Sequence, residues 1–262
     1  MRGTLVIYRR ELAGLFFAPL AWILLFVSLL LNGALFATML SASTDVTASL
    51  EYVFGGNLFF WVLTLLLAPL LTMRLLAEEA ANGTLEYLRT APVSDAAVVT
   101  GKFLAGSSFL ALLWASCFVY AWALQTWGVA PDWGQVVATY LGTVLVSALF
   151  VALGLVTSSL TNTPLIAVFL SFMGSLAWLL LPWMGAQLLR QMRTLFADLF
   201  GGMAVAETWI LGMLDRMAAF EHFGRSYHRG VLDSSEVIFF LTWIAFFLFL
   251  TTRTLEARRW RG

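Results

Sequence analysis

The sequence predicts an all-α integral membrane protein with six transmembrane helices and both termini in the cytoplasm. Of its 262 residues, 61% are hydrophobic and 11% are charged, whereas soluble domains are about 45–50% apolar and about 25% charged. The charged residues also leave five long gaps, at 12–44, 52–73, 103–131, 133–189 and 237–252. Because a helix needs about 20 apolar residues to cross a bilayer, such gaps are typical of multi-pass membrane proteins.

The gaps define the predicted spans. The gap at 133–189 is too long for one crossing, and it divides at the polar segment Ser158–Pro164, where proline can begin the next helix. A single transmembrane domain, 1–262, therefore contains spans at about 15–40, 58–75, 103–127, 133–157, 164–189 and 237–253. Ahead of the first span, Leu5, Tyr8 and Leu12 recur at helical spacing and predict an amphipathic helix on the cytoplasmic surface. The alternative is that this segment only anchors the chain through the cytoplasmic charges of Arg9 and Arg10.

The distribution of arginine and lysine predicts the orientation. With both termini inside, ten of the fifteen basic residues lie in cytoplasmic segments and five lie in the outer loop 190–236. An excess of basic residues marks the cytoplasmic side. The formal net charge is zero, so nothing predicts a nucleic-acid partner.

Several functions are excluded or disfavoured. The chain has no G-x-x-x-x-G-K-[ST] motif, so we predict no nucleotide or other cofactor in this chain and no enzymatic activity of its own. The charge-free gaps disfavour an ion-driven carrier, which needs ionisable groups at membrane depth. His222 and His228 fit no common zinc spacing, so the outer loop is predicted to be a plain polar loop without a metal.

The cytoplasmic connection 76–102 is longer than a turn requires. Asn82-Gly83-Thr84 is predicted to end the second helix, and in the short helix that follows, Leu85 and Leu88 share a face until Pro92 ends it. This connection is predicted to lie across the membrane surface and to dock on another protein.

The outer segment 190–236 contains two predicted amphipathic helices, and two interpretations remain open. The helices either rest passively on the outer leaflet or form a lid over a translocation route. In the second case, the candidate gate residues are Leu195, Leu199, Met203, Ile210 and Met213.

Several motifs resemble the type 2 ABC exporter permeases, and within them the gliding-motility type branch. The central motifs are Pro69–Glu79, Gly83–Leu88, Thr90–Ser94 and Gly101-Lys102-Phe103. Arg10-Glu11-Leu12 with Phe17-Ala18-Pro19, and Phe223–Asp233 running to Trp260, resemble the amino-terminal and carboxy-terminal signatures of that branch. The resemblance covers nearly the whole chain.

The resemblance implies a half-transporter in the bacterial inner membrane. Its expected partners are membrane lipid, a second permease copy (identical or a close paralogue) and two copies of a separate ABC ATPase subunit that holds ATP and Mg²⁺. The implied ATPase-coupling interface comprises Arg9, Arg10, Glu11, Glu78, Glu79, Gly83, Thr84, Leu85, Glu86, Leu88, Arg89 and Pro92.

The expected function is export of a lipidic, amphipathic or peptide-like substrate, driven by the ATPase. The alternative is an ABC-type mechanotransmission or assembly protein that acts on a periplasmic or outer-facing auxiliary subunit without transport.

Overall fold

The computed structural model describes residues 2–42, 50, 52–84, 93–195, 204–227 and 230–259. Regular structure in these ranges is helical. The α-helices are α1 (Arg2–Phe17), α2 (Pro19–Ala42), α3 (Leu58–Leu75), α4 (Ala77–Ala81), α5 (Asp95–Trp114), α6 (Ser116–Thr126), α7 (Trp133–Leu160), α8 (Pro164–Leu195), α9 (Ala204–Met217), α10 (Ala219–Ser226) and α11 (Ser234–Arg259), and a short π-helical turn, Tyr52–Gly56, precedes α3.

The described residues confirm the predicted fold class. Six helical segments are long and apolar enough to cross a membrane: most of α2, α3 with α4, α5 with α6, α7, most of α8, and most of α11. Six crossings place both chain ends on one side of the bilayer.

The first span begins later than predicted. α1 continues to Phe17, the chain bends at Ala18, and α2 begins at Pro19. Proline suits this position because it lacks the amide hydrogen that a first helical residue leaves unpaired. Residues 15–17 therefore belong to α1, and the stretch that is apolar and long enough to cross a membrane begins at Ala21, a few residues after the predicted start at about residue 15.

Two other helices extend beyond their predicted spans. α5 begins at Asp95, where the Ser94 hydroxyl accepts a hydrogen bond from the Ala97 amide at 3.3 Å, which is a typical N-cap. α8 continues to Leu195, past the predicted end at residue 189. The beginning of the predicted outer segment is therefore a continuation of α8, whose candidate membrane span ends at Gln191.

The bundle is centred on α7. Buried residues make up 72% of its most hydrophobic stretch but only 17% of that of α2, and α7 packs against α3, α5, α8 and α11. At Gly154 the backbones approach so closely that a Cβ atom would overlap Thr72 of α3 and lie 2.9 Å from Ser171 Oγ of α8. Glycine at this crossing therefore sets the distance between the central helices.

Candidate functional site

Four charged side chains from three helices meet at the end of the bundle that carries both termini. Lys102 of α5 donates a hydrogen bond from Nζ to Glu11 Oε1 of α1 at 3.0 Å and lies 2.8 Å from Glu79 Oε2 of α4. Arg10 Nη2 lies 2.6 Å from Glu11 Oε1 and 3.0 Å from Glu79 Oε1. We call these four residues the charge cluster.

Burial within the charge cluster increases from Arg10 inward. The side chain of Arg10 is 52% exposed, those of Glu79 and Glu11 are 18% and 13% exposed, and that of Lys102 has no exposed surface. A buried ammonium group is stable only when opposite charges compensate its lost hydration, and the two carboxylates supply that compensation. Burial lowers the pKa of Arg10, but Glu11 and Glu79 outweigh this effect and raise it above its ordinary value.

Close packing of α1 on α5 brings the charges together. A Cβ atom at Gly101 would lie 2.8 Å from Ile7 Cγ2, and the Tyr8 hydroxyl donates to Ser108 Oγ at 3.3 Å. Of the predicted apolar face of α1, Tyr8 and Leu12 are partly buried, whereas Leu5 is 50% exposed. Ile7, which lies outside that predicted set, is buried against α5. Glu11 points inward because Lys102 is there to pair with it.

α4 is a separate short helix because the chain breaks at Leu76. The amide of Ala77 donates to Ser158 Oγ of α7 at 2.9 Å, which ties this break to the central helix. As predicted, the second helical segment ends at Asn82 and Gly83, and Gly83 has a φ of 72°, a left-handed conformation that favours glycine. The hydroxyl of Thr84 donates to the carbonyl oxygen of Glu79 at 3.2 Å.

The structure brings three of the predicted interface residues, Arg10, Glu11 and Glu79, into the charge cluster. Arg9 is exposed on α1. Glu78 pairs with Arg74 one turn earlier at 3.1 Å, and both side chains are partly exposed.

Gly83 and Thr84 are exposed at the end of α4. The remaining predicted interface residues, Leu85, Glu86, Leu88, Arg89 and Pro92, lie outside the described residues. The assignment of the whole set to an ATPase interface stays a prediction.

Sequence reasoning treated Lys102 as a cytoplasmic surface charge and missed its central place. The available signal was periodicity, because Val98, Lys102, Ala105 and Phe109 recur on one face of α5 and all four are buried. A lysine on an otherwise apolar helical face requires a buried anion on a neighbouring element.

The opposite end of the bundle is closed by α10. Phe223 and Tyr227 have no exposed surface, and the Phe223 ring lies 5.8 Å from Phe60 and 5.6 Å from Trp61 between centroids. Tyr227 sits against Gly142 of α7, where a Cβ atom would overlap its ring. Burial, with the nearby Glu236 and Asp233, raises the pKa of Tyr227 to about 12. We call Phe223 and Tyr227 the aromatic plug.

The predicted gate residues are not part of the aromatic plug. Ile210 and Met213 are 45% and 63% exposed on α9. Leu195 ends α8, its side chain is not described, and Leu199 and Met203 lie outside the described residues. A gate at these five positions stays a prediction.

In the described part of the chain, His222 lies against a carboxylate and is not one of a group of potential metal ligands. Its Nδ1 contacts Glu236 of α11, and its ring stacks on Phe239 at 4.0 Å between centroids. His228 lies outside the described residues.

Comparison with known families gives a match over much of the chain. The family described as ABC-2 family transporter protein matches residues 17–178, which is more than half of the chain and extends from the end of α1 into α8. No curated protein matches the sequence.

Proposed function

We propose that this chain, which belongs to the ABC-2 family of transporter proteins, exports a lipidic, amphipathic or peptide-like substrate across the bacterial inner membrane. Family membership makes it a permease subunit of an ABC transporter, and such a permease associates with an ABC ATPase subunit that hydrolyses ATP. We further propose that two ATPase copies and a second permease, identical or a close paralogue, complete the transporter.

The observation that carries this proposal is the charge cluster. Ion pairs between Lys102, Glu11 and Glu79 join α1, α4 and α5 at the end where the connection after α4 begins. Packed helices move as rigid bodies when a partner displaces one of them. In this proposal an ATPase that pushes on the connection after α4 therefore moves α1, α4 and α5 together.

The inside of the bundle supports an apolar or amphipathic substrate. Among the buried residues of the described ranges, the charged ones are Lys102, at the end with the termini, and Glu236, at the opposite end. Ion pathways need ionisable groups at membrane depth. An ion is thus a poor candidate substrate.

One observation is compatible with the alternative as well, a mechanotransmission or assembly protein that acts on a periplasmic partner. α9 exposes Trp209, Ile210 and Met213, which are 71%, 45% and 63% exposed. This apolar face suits either the outer leaflet or an outer-facing subunit. Capture of such a subunit through α9, without movement of any substrate, would favour the alternative.

ATPase recovery with the purified chain tests the proposed docking connection. Leu88→Asp is expected to weaken binding at least about tenfold, because a docked leucine buries apolar area worth about 1.5–3 kcal/mol. The measurement is the amount of ATPase recovered with each variant, at equal expression of the membrane chain.

Glu86→Ala is the matched control on the same connection. In the predicted docking helix Glu86 lies at the rim of the contact, where an ion pair would contribute only about 0–1 kcal/mol, so this variant is expected to keep its ATPase. Full recovery of ATPase with Leu88→Asp would show that the connection does not dock through this face.

A further inference from the structure

A cavity of about 760 Å³ lies at the end of the bundle opposite the charge cluster. Its walls are formed by the start of α3, the second half of α8, α9 and α10. Cavities that hold small molecules usually measure about 300–1,000 Å³. α9 forms one side of the cavity, and it is seated on α8 where a Cβ atom at Gly185 would lie 3.1 Å from Leu214 Cδ1.

The cavity wall is apolar and rich in aromatic rings. It includes Leu58, Trp61, Trp183, Leu211 and Phe220, and the rings of Trp61 and Phe220 lie 5.3 Å apart between centroids. Leu58 is 79% exposed and Trp183 is 57% exposed. The wall therefore continues into a surface that suits the hydrocarbon chains of the bilayer, with tryptophan at its border.

The polar part of the lining carries both signs of charge. Arg190 of α8 and Glu221 of α10 line the cavity, and both side chains are exposed. Neither side chain belongs to any of the ion pairs formed among the described residues. A guanidinium binds phosphate by two parallel hydrogen bonds, and a carboxylate binds an ammonium group.

We propose that this cavity binds a zwitterionic phospholipid, with an acyl chain along the aromatic wall, its phosphate at Arg190 and its ammonium group at Glu221. The inference rests on the proposed export of an amphipathic substrate, and it names the class of that substrate. An anionic lipid would place its negative head group beside Glu221, and an uncharged lipid would pair with neither Arg190 nor Glu221. Charge complementarity therefore favours a zwitterionic head group, which pairs with both residues.

Gly212 gives direct access to the cavity for a test. It lies on α9 and lines the cavity, and a Cβ atom there meets no atom within 4 Å. Gly212→Trp is thus expected to fill the cavity without a clash at the backbone. The helix α9 tolerates this change because tryptophan has a higher helix propensity than glycine. The matched control is Met213→Trp, because Met213 is the next residue, is 63% exposed and is not part of the lining.

The test uses a photoreactive lysophosphatidylethanolamine with a diazirine on its chain. The purified full-length chain is placed in phosphatidylglycerol nanodiscs, irradiated and digested. Labelling is expected within 179–190 and 211–221. Gly212→Trp is expected to reduce it by about tenfold, since losing two buried methylenes lowers affinity by about that factor, whereas Met213→Trp labels like the unaltered chain.

The head group is tested separately, so the outcome does not depend on the folding of Gly212→Trp. Arg190→Gln is expected to reduce labelling severalfold, while Arg216→Gln on the exposed side of α9 leaves it unchanged. Glu221→Gln is expected to shift labelling toward a photoreactive lysophosphatidylglycerol. Equal labelling by the zwitterionic probe and a photoreactive fatty alcohol, or full labelling of Gly212→Trp, overturns the proposal.

These measurements need no ATPase and no ATP. Labelling that follows the expected pattern in a chain that transports nothing supports the cavity and contradicts the proposed export. Transport by a complex whose chain is never labelled in this cavity contradicts the inference alone.

Discussion

At the scale of single residues, Lys102 connects the chemistry of the sequence to the architecture. Its side chain has no exposed surface, and the two carboxylates that face it come from residues 91 and 23 positions earlier in the chain. Removing one member of a buried ion pair is far more costly than removing the whole pair, because the remaining charge stays buried without a partner. Lys102 is therefore the residue whose loss the fold tolerates least within the charge cluster.

We expect Lys102→Met to lower the free energy of unfolding by about 3 kcal/mol, the lower end of the range for breaking a buried ion pair. The lower end applies because Arg10 remains near both carboxylates. The measurement is thermal unfolding of the purified chain in detergent.

Two further variants make this result specific. Arg253→Gln removes one partner of an ion pair whose side chains are 63% and 39% exposed, and it is expected to cost less than about 1 kcal/mol. The triple variant Glu11→Gln, Glu79→Gln, Lys102→Met is expected to recover most of the lost stability, because no buried charge remains unpaired. Equal melting temperatures for Lys102→Met and Arg253→Gln would contradict the role assigned to the charge cluster.

At the scale of helices, the spans could be predicted because hydrocarbon thickness sets the length of each charge-free gap. The start of α5 could be predicted from the capping residue Ser94, which the structure confirms. The end of α8 was less predictable, because hydropathy detects the bilayer and not a helix that continues beyond it. The burial of Lys102 could have been predicted from the periodicity of α5, but its partners could not, since the charge cluster joins Arg10 and Glu79 across 69 residues. The aromatic plug was missed because Phe223 and Tyr227 look like ordinary residues of an outer amphipathic helix.

The orientation of the helices is tested by thiol labelling in intact cells. In a chain with Cys117→Ala, Ser234→Cys is expected to react with an impermeant reagent from outside, because Ser234 begins α11 at the predicted outer end. Asn82→Cys, which is exposed beyond α4, is expected to react only after lysis. Reaction of Asn82→Cys in intact cells would reverse the orientation and separate the charge cluster from any cytoplasmic ATPase.

The seating of α10 depends on Gly142. Because a Cβ atom at this position overlaps the Tyr227 ring, Gly142→Ala is expected to displace the aromatic plug at a cost of about 1–3 kcal/mol. Ala219→Cys, buried on α10, is then expected to react with a thiol reagent about tenfold faster.

The control for this prediction lies on the same central helix. At Gly134 the atom nearest to an added Cβ is Asp132 Oδ1, the cap of α7, at 3.2 Å, and no described atom of α10 lies within 4 Å. Gly134→Ala is therefore expected to leave the labelling rate unchanged. If Gly142→Ala also labels at the original rate, α10 is not held by this contact.

At the scale of the whole molecule, the two ends of the bundle are connected through α7. At one end the break before α4 is bonded to Ser158 of α7, and at the other Tyr227 packs on Gly142 of the same helix. A displacement of the charge cluster can therefore reach the aromatic plug through one continuous helix. If the two ends are coupled in this way, a ligand that binds at the charge-cluster end must change the packing of α10 at the opposite end.

The most direct measurement is the labelling rate of Ala219→Cys in the complex with the ATPase, with and without a non-hydrolysable ATP analogue. Gly224→Cys is the matched control, because it lies on the same helix and is already exposed. We predict that the analogue changes the rate at Ala219→Cys severalfold, that Lys102→Met abolishes this change while the ATPase stays bound, and that Gly224→Cys labels equally throughout. An unchanged rate at Ala219→Cys, or a full response in Lys102→Met, would contradict transmission from the charge cluster to the aromatic plug.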